Sequence, residues 1–291
     1  MDPLQDRVDE VARVSGFSGA VRVDRAGGTE VLAAYGYADR AHEIPNTVDT
    51  QFAIASGTKG LTALVAEAVL PLGLRARELL GDDLPLIDDR VTVEQLLTHT
   101  SGIGDYYDED VHTAFEGYVL TVPAHELVTT EDYVGALDGF PQLFAPGERF
   151  KYCNSGYVVL ALLAERRAGA PFHELVDQHV LEPAGMRDTA FLRSDALPGR
   201  AAFGYLADGR TNVFHLPVRG SGDGGVYSTL DDVDRYWCFV GDRPPLGIAW
   251  RDPLALVGAD AGVSFRSEPG RFTVISNTST GAWPVVRSLR A

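Results

Sequence analysis

Strand-like segments at both ends of the chain enclose a middle that reads as helix, and this order restricts the available folds more than any single motif. Residues 17–24 alternate apolar and polar positions, Gly27-Gly28 is a turn signal, and residues 31–37 read as the second strand of a hairpin. The strand pattern returns after Gly220: residues 224–228 follow a glycine-rich turn, then come 246–250, 262–267 and 271–276. Leu4, Val8, Val11 and Val14 recur at helical spacing and predict a helix over 3–14, and residues 282–290 predict a short closing helix. Residues 72–220 read as mainly helical, with Thr92 placed to cap a short helix and a strong apolar helix over 157–167. The expected fold class is α/β of the α+β kind, an antiparallel sheet built from both chain ends, flanked by terminal helices, with an inserted mainly helical region. Residues 1–58 and 220–291 are expected to form the discontinuous sheet domain and 59–219 the helical one, with the active site in the cleft between them.

With 291 residues, 45% hydrophobic and 23% charged, the chain has enough mass for a substantial core. Its net charge of -16, with the basic residues scattered along the chain, leaves no electrostatic footprint for nucleic acid and repels anionic membranes. The first residues carry no charged leader followed by an apolar run, and no apolar stretch reaches about 18 residues, so a cytoplasmic location is expected. The two cysteines, Cys153 and Cys238, have no redox or zinc spacing and read as buried free thiols. There is no His-Glu-x-x-His, no Gly-x-x-x-x-Gly-Lys and no Gly-x-Ser-x-Gly. No cofactor or metal is expected, and the expected partner is a small-molecule or short-peptide substrate.

Of the 25 basic residues only two are lysines, Lys59 and Lys151. Arginine cannot lose its proton at accessible pH, whereas a desolvated lysine can, so a lysine kept at 59 marks a place where deprotonation matters. Ser56-Gly57-Thr58-Lys59 opens a helix whose apolar run ends near Pro71. Residues three apart share a helix face with Cβ atoms about 5–6 Å apart, so the amine can reach the hydroxyl. Unpaired N–H groups of the first turn would meet a negative oxygen forming beside Ser56. A second element, Lys151-Tyr152-Cys153-Asn154-Ser155-Gly156-Tyr157, precedes the apolar helix. A phenol with its ordinary pKa of about 10 becomes a base at neutral pH only beside a cation, which Lys59 could supply. Tyr152 would then share the proton of Ser56 and deliver it to the leaving group, while the Asn154 amide would hold Lys59 and the substrate carbonyl. Each motif also has a plain reading, a helix cap for Ser56 and a side-chain-satisfied turn for Asn154.

Several segments in this order resemble the family that joins class C β-lactamases, D-Ala-D-Ala carboxypeptidases and related esterases, with their penicillin-binding-protein fold. They are Phe52-Ala53-Ile54-Ala55-Ser56-Gly57-Thr58-Lys59, Leu96-Leu97-Thr98-His99-Thr100-Ser101-Gly102, residues 146–157, Leu181-Glu182-Pro183-Ala184-Gly185-Met186 and Gly224-Gly225-Val226-Tyr227-Ser228. The resemblance implies a serine hydrolase with an acyl-enzyme intermediate, Ser56, Lys59 and Tyr152 as catalytic residues, and a structural role for His99. His112, His125 and His215 are left as loop or surface residues. The family's Lys-Thr-Gly or His-x-Gly strand is replaced by Gly258-Ala259-Asp260-Ala261-Gly262. If Ala259 takes the cationic position, the charge that would bind a substrate carboxylate is missing and Asp260 puts a negative one nearby. The Gly262 N–H is then a candidate for the oxyanion hole, and little β-lactamase activity but some hydrolysis of uncharged esters or amides is expected. The alternative is a catalytically lapsed relative that keeps its pocket for ligand sensing.

Overall fold

The computed structural model describes residues 3–112, 117–242, 245–246 and 255–291. The chain starts with α1 (Pro3–Ser15) and the hairpin β1 (Gly19–Arg25) and β2 (Gly28–Tyr35). Three short strands follow, β3 (Tyr37–Asp39), β4 (Ile44–Pro45) and β5 (Phe52–Ala53), then a 3-10 turn (Ala55–Gly57) that runs into α2 (Thr58–Val69). The middle holds α3 (Arg77–Leu80), α4 (Val93–Leu97), α5 (Val134–Leu137), α6 (Asn154–Ala168), α7 (Phe172–Val176) and α8 (Glu182–Ala184). After β6 (Tyr227–Ser228) and α9 (Leu230–Val240) the chain returns to the sheet as β7 (Leu256–Asp260), β8 (Val263–Glu268) and β9 (Phe272–Ser276), and closes with α10 (Ala282–Arg290).

The two ends of the chain meet in one antiparallel five-stranded sheet of order β2-β1-β9-β8-β7. The central pairing joins β1 to β9, from Gly19 opposite Ser276 to Val23 opposite Phe272. Gly19 is required there, because a Cβ on it would lie 2.0 Å from the Ile275 carbonyl oxygen. Strand alternation gives the sheet two apolar faces. Val21, Val23, Phe272 and Val274 pack with Leu4 and Val8 of α1 and Val285 and Val286 of α10. Ala20, Phe265 and Ile275 face the larger core shared with α2, α6 and α9. The mixed α and β architecture and the antiparallel sheet expected from the sequence are present.

Several expectations need amendment. The helical reading of residues 72–220 fits α3 to α8, but residues 185–226 form neither helix nor strand and are tied down by isolated bridges such as Ala190 to Tyr227 and Gln51 to Ala201. Proline and glycine punctuate that stretch, and its backbone is satisfied by distant partners rather than by a local ladder. The expected strand over 246–250 lies outside the described residues except for Leu246. Strand β7 and helix α9 were not anticipated. Helix α9 is capped by the Thr229 side chain, which accepts from the Asp232 N–H, and its Trp237 donates to Ser267 at 2.8 Å. Thr92 does cap α4, in a reciprocal box with Gln95. Both cysteines are free, but Cys238 is exposed, since it lies on the outer side of α9. No helix among the described residues is long and apolar enough to cross a membrane.

Candidate active site

Ser56 sits in the 3-10 turn at the head of α2, and the residue before it is strained. Ala55 has φ 46, in the left-handed region that costs a Cβ-bearing residue roughly 1 kcal/mol or more. The buried surroundings hold this kink, with the Ile54 N–H bonded to the Val226 carbonyl and the Gly57 N–H to the Ile54 carbonyl. Ser56 is thereby presented to a cleft that also exposes the edge of the sheet. Strand β7 is that edge, and it passes so close that a Cβ on Gly258 would lie 2.9 Å from the Ser56 backbone nitrogen.

Two groups converge on Ser56 Oγ. The Lys59 amine donates to Ser56 Oγ at 2.9 Å, and the Tyr152 hydroxyl lies 2.9 Å from the same oxygen. Lys59 is almost fully buried and gives its two other N–H bonds to Asn154 Oδ1 (2.8 Å) and the Asp223 carbonyl (2.7 Å). Three acceptors around one nitrogen are the arrangement an ammonium needs. Burial alone would push the Lys59 pKa down, but the Tyr152 phenol and the Asp223 carboxyl outweigh it and the shift is upward. The expectation of a lysine made neutral by desolvation is corrected on this point. Burial also raises the Tyr152 phenol, with Lys59 opposing the shift. Two groups this close titrate as a pair rather than singly.

Two loops position Tyr152 and Asn154. His99 holds the left-handed conformation at φ 56, accepts the Cys153 N–H on Nδ1 at 3.1 Å, and its carbonyl accepts from Lys151. Its ring lies between those of Tyr152 and Tyr157, with centroids 4.6 and 5.0 Å away, and burial lowers its pKa to about 3. Neutral and enclosed, His99 orients the loop that carries the phenol. Asp105 caps α6 from outside the helix: it accepts the N–H of Asn154 (2.7 Å) and Ser155 (2.9 Å) and the Ser155 hydroxyl. One Asn154 amide hydrogen is committed to the Tyr107 carbonyl at 2.9 Å, so that side chain is a strut for Lys59 with limited freedom to reach a substrate.

The cleft encloses about 970 Å³, open solvent included, within the range of small-molecule sites. Tyr106, Tyr107, Tyr118 and Leu120, from the long acidic and aromatic segment, form one wall, and Leu216 and Val218 form part of another. Among the described lining residues are three carboxylates, Glu109, Asp223 and Asp260, and neither a lysine nor an arginine. Asp223 accepts from the Tyr106 hydroxyl. Asp260 lies at the end of β7 and accepts the Ala261 N–H at 2.8 Å, and burial pushes its carboxyl up to about 7. Gly262 is not part of this wall. Its N–H donates to Ser279 Oγ at 2.8 Å and its backbone packs on Gly204 and Tyr205, so the sequence-based assignment of that N–H to an oxyanion is corrected. Sequence reasoning missed Asp105, Asp223, Ser194 and His215, the last two of which also line the cleft. Among the described residues no three His, Cys, Asp or Glu side chains assemble as a metal site.

The family model described as Beta-lactamase matches residues 4–287. The chain is 28% identical over 252 residues to Penicillin-binding protein 4* of Bacillus subtilis, covering 80% of this chain and 54% of that protein. It is 30% identical over 264 residues to Esterase EstB of Burkholderia gladioli, covering 78% of this chain and 66% of that protein. The chain thus spans about half to two thirds of the length of these relatives. A solved penicillin-binding protein from Bacillus halodurans superposes with a TM-score of 0.85 at 30% identity, covering 97% of this chain and 99% of the other.

Proposed function

As this chain belongs to the Beta-lactamase family, we propose that it is a serine hydrolase that cleaves esters or amides through an acyl-enzyme on Ser56. The observation that carries this reading is the convergence of Lys59 and Tyr152 on one serine oxygen, each at 2.9 Å. Names among the relatives, an esterase and penicillin-binding proteins, support acyl transfer as the reaction class. The cleft between the sheet and the helical part is the substrate site in this reading.

In the first step Ser56 Oγ attacks the carbonyl carbon and its proton passes to the Lys59 and Tyr152 pair, which enters the reaction one proton short. The tetrahedral oxyanion is met by the Ser56 N–H at the head of α2. As the carbon–leaving group bond breaks, the Tyr152 hydroxyl returns that proton to the departing oxygen or nitrogen. Water then attacks the ester on Ser56 and loses its proton to the same pair, which passes it to Ser56 Oγ as the Oγ–acyl bond breaks, so that the acid leaves and the serine hydroxyl is restored. Asn154 and the Asp223 carbonyl keep the Lys59 nitrogen in place through both halves. With Ala259 at the position expected to carry a cation and three carboxylates on the wall, carboxylate-bearing substrates such as penicillins should react poorly.

Intact-protein mass spectrometry after treatment with a fluorophosphonate, followed by peptide mapping, tests the reading. One adduct on Ser56 is expected, with Ser56→Ala inert toward p-nitrophenyl butyrate. Lys59→Arg should lose about a thousandfold in kcat, because a guanidinium can neither share the proton nor fit three acceptors around one atom. An adduct elsewhere, or full turnover by Ser56→Ala, would overturn it.

A further inference from the structure

We propose that Asp260 is a specificity-determining residue that binds a cationic nitrogen close to the scissile carbonyl, so that the preferred substrates are ammonium-bearing esters or amides. This deepens the reading of Ser56 as an acyl-transfer nucleophile and rests on it.

Placement comes first. Gly258 abuts the Ser56 backbone, and side chains two apart on a strand share a face, so Asp260 projects on the same side of β7. Two residues of strand put its Cα about 7 Å further along the cleft, within reach of a substituent three or four bonds from a bound carbonyl once the carboxyl side chain is added.

Charge comes second. Lys59 has given its three N–H bonds to Ser56, Asn154 and the Asp223 carbonyl, so it makes no hydrogen bond to Asp260, although its charge favours the ionised carboxyl through space. Asp223 is engaged by the Tyr106 hydroxyl. Asp260 receives one N–H, from Ala261, and among the described residues no cation pairs with it. A half-buried carboxylate left with lone pairs beside a cleft whose described lining holds no arginine or lysine is costly until a cation arrives.

The third observation is independent of charge. The side-chain oxygen of Ser194, a residue 9% exposed, and Nδ1 of His215 are buried on the wall of this same cleft without a hydrogen-bond partner among the described residues. Unsatisfied polar atoms of this kind mark a place where a polar ligand completes the bonding. Tyr106, Tyr107 and Tyr118 line the same cleft, and aromatic rings are side chains that attract cations.

Two isosteric pairs test the proposal at pH 8. On the acyl side, p-nitrophenyl β-alaninate is compared with p-nitrophenyl butyrate, which replaces the ammonium by methyl. On the leaving-group side, butyrylcholine is compared with 3,3-dimethylbutyl butyrate. At least one cationic member should show kcat/KM about tenfold or more above its neutral twin, and Asp260→Asn should bring that ratio close to one. Binding of β-alaninamide and choline to Ser56→Ala, against butyramide and 3,3-dimethylbutanol, reads the same preference without turnover. Ratios near one in both pairs, or a preference that survives in Asp260→Asn, would overturn the proposal while leaving the hydrolase reading intact. A cation preference in binding to Ser56→Ala, in a protein that no fluorophosphonate labels, would sustain the Asp260 assignment and sink the hydrolase.

Discussion

At the scale of single residues, the site is a problem of placing one proton. Ser56 Oγ lies between an amine and a phenol, and both partners have pKa values above their ordinary ones. A base whose pKa is raised stays protonated at neutrality, so the fraction of protein able to take the Ser56 proton grows as pH rises. The expected profile is a kcat/KM for p-nitrophenyl butyrate that climbs through the alkaline range after correction for spontaneous hydrolysis. A plateau reached by about pH 7 would show that the pair has pKa values lowered well below the ordinary ones near 10. His99 shows how different an outcome the same environment gives an imidazole, which burial and then the Lys59 charge push down. Enclosed by Tyr152 and Tyr157 and accepting the Cys153 N–H, it stays neutral and acts as a spacer.

At the scale of elements, the helix head that carries Asn154 depends on a residue from another part of the chain. Cys153 occupies the N-cap position of α6 without a side-chain cap bond, and Asp105 supplies the acceptors. Removing them in Asp105→Ala takes the acceptor from three buried N–H groups, of Tyr107, Asn154 and Ser155, and from the Ser155 hydroxyl, at a cost of about 2–4 kcal/mol. Denaturant unfolding should show that loss, and kcat should fall with it because Asn154 no longer fixes Lys59. A variant with unchanged unfolding midpoint would mean that another group caps the helix. Strand β7 is a comparable case, in which Gly258 lets the sheet edge approach the Ser56 backbone.

At the scale of the whole molecule, a sheet closed by pairing β1 with β9 brings residue 260 beside residue 56 and makes a half-buried carboxylate a stability term. The Asp260 carboxyl, pushed up to about 7, binds a proton more tightly in the folded protein than in the unfolded chain. Its contribution is therefore full below the ordinary carboxylate range and is lost as pH rises through about 7. Asp260→Asn should stabilise the protein by about 1–2 kcal/mol at pH 8 and have little effect near pH 4, measured by urea unfolding. Destabilisation at pH 8 would mean that the carboxylate already has a cation. His99 and His173, lowered to about 3 and about 4, work in the opposite sense, since the unfolded chain takes up their protons as pH falls below about 6.5.

The sequence by itself determined what depends on neighbours along the chain: the period of α1 and α10, the Thr92 cap, the hairpin, and a serine and a lysine held on one face by three-residue spacing. Ordered motifs extended this to Tyr152 and Asn154, but not to what those side chains touch. Tertiary structure decided the rest. The Asp223 carbonyl reaches Lys59 across 164 residues and Asp105 reaches α6 across 49. Neither contact leaves a periodic trace, because a single backbone oxygen or a lone loop aspartate has no local pattern to break. The charge on Lys59 and the unmet valence of Asp260 follow from how many acceptors and donors the packed chain brings within about 3 Å, a count that exists only once distant segments have met.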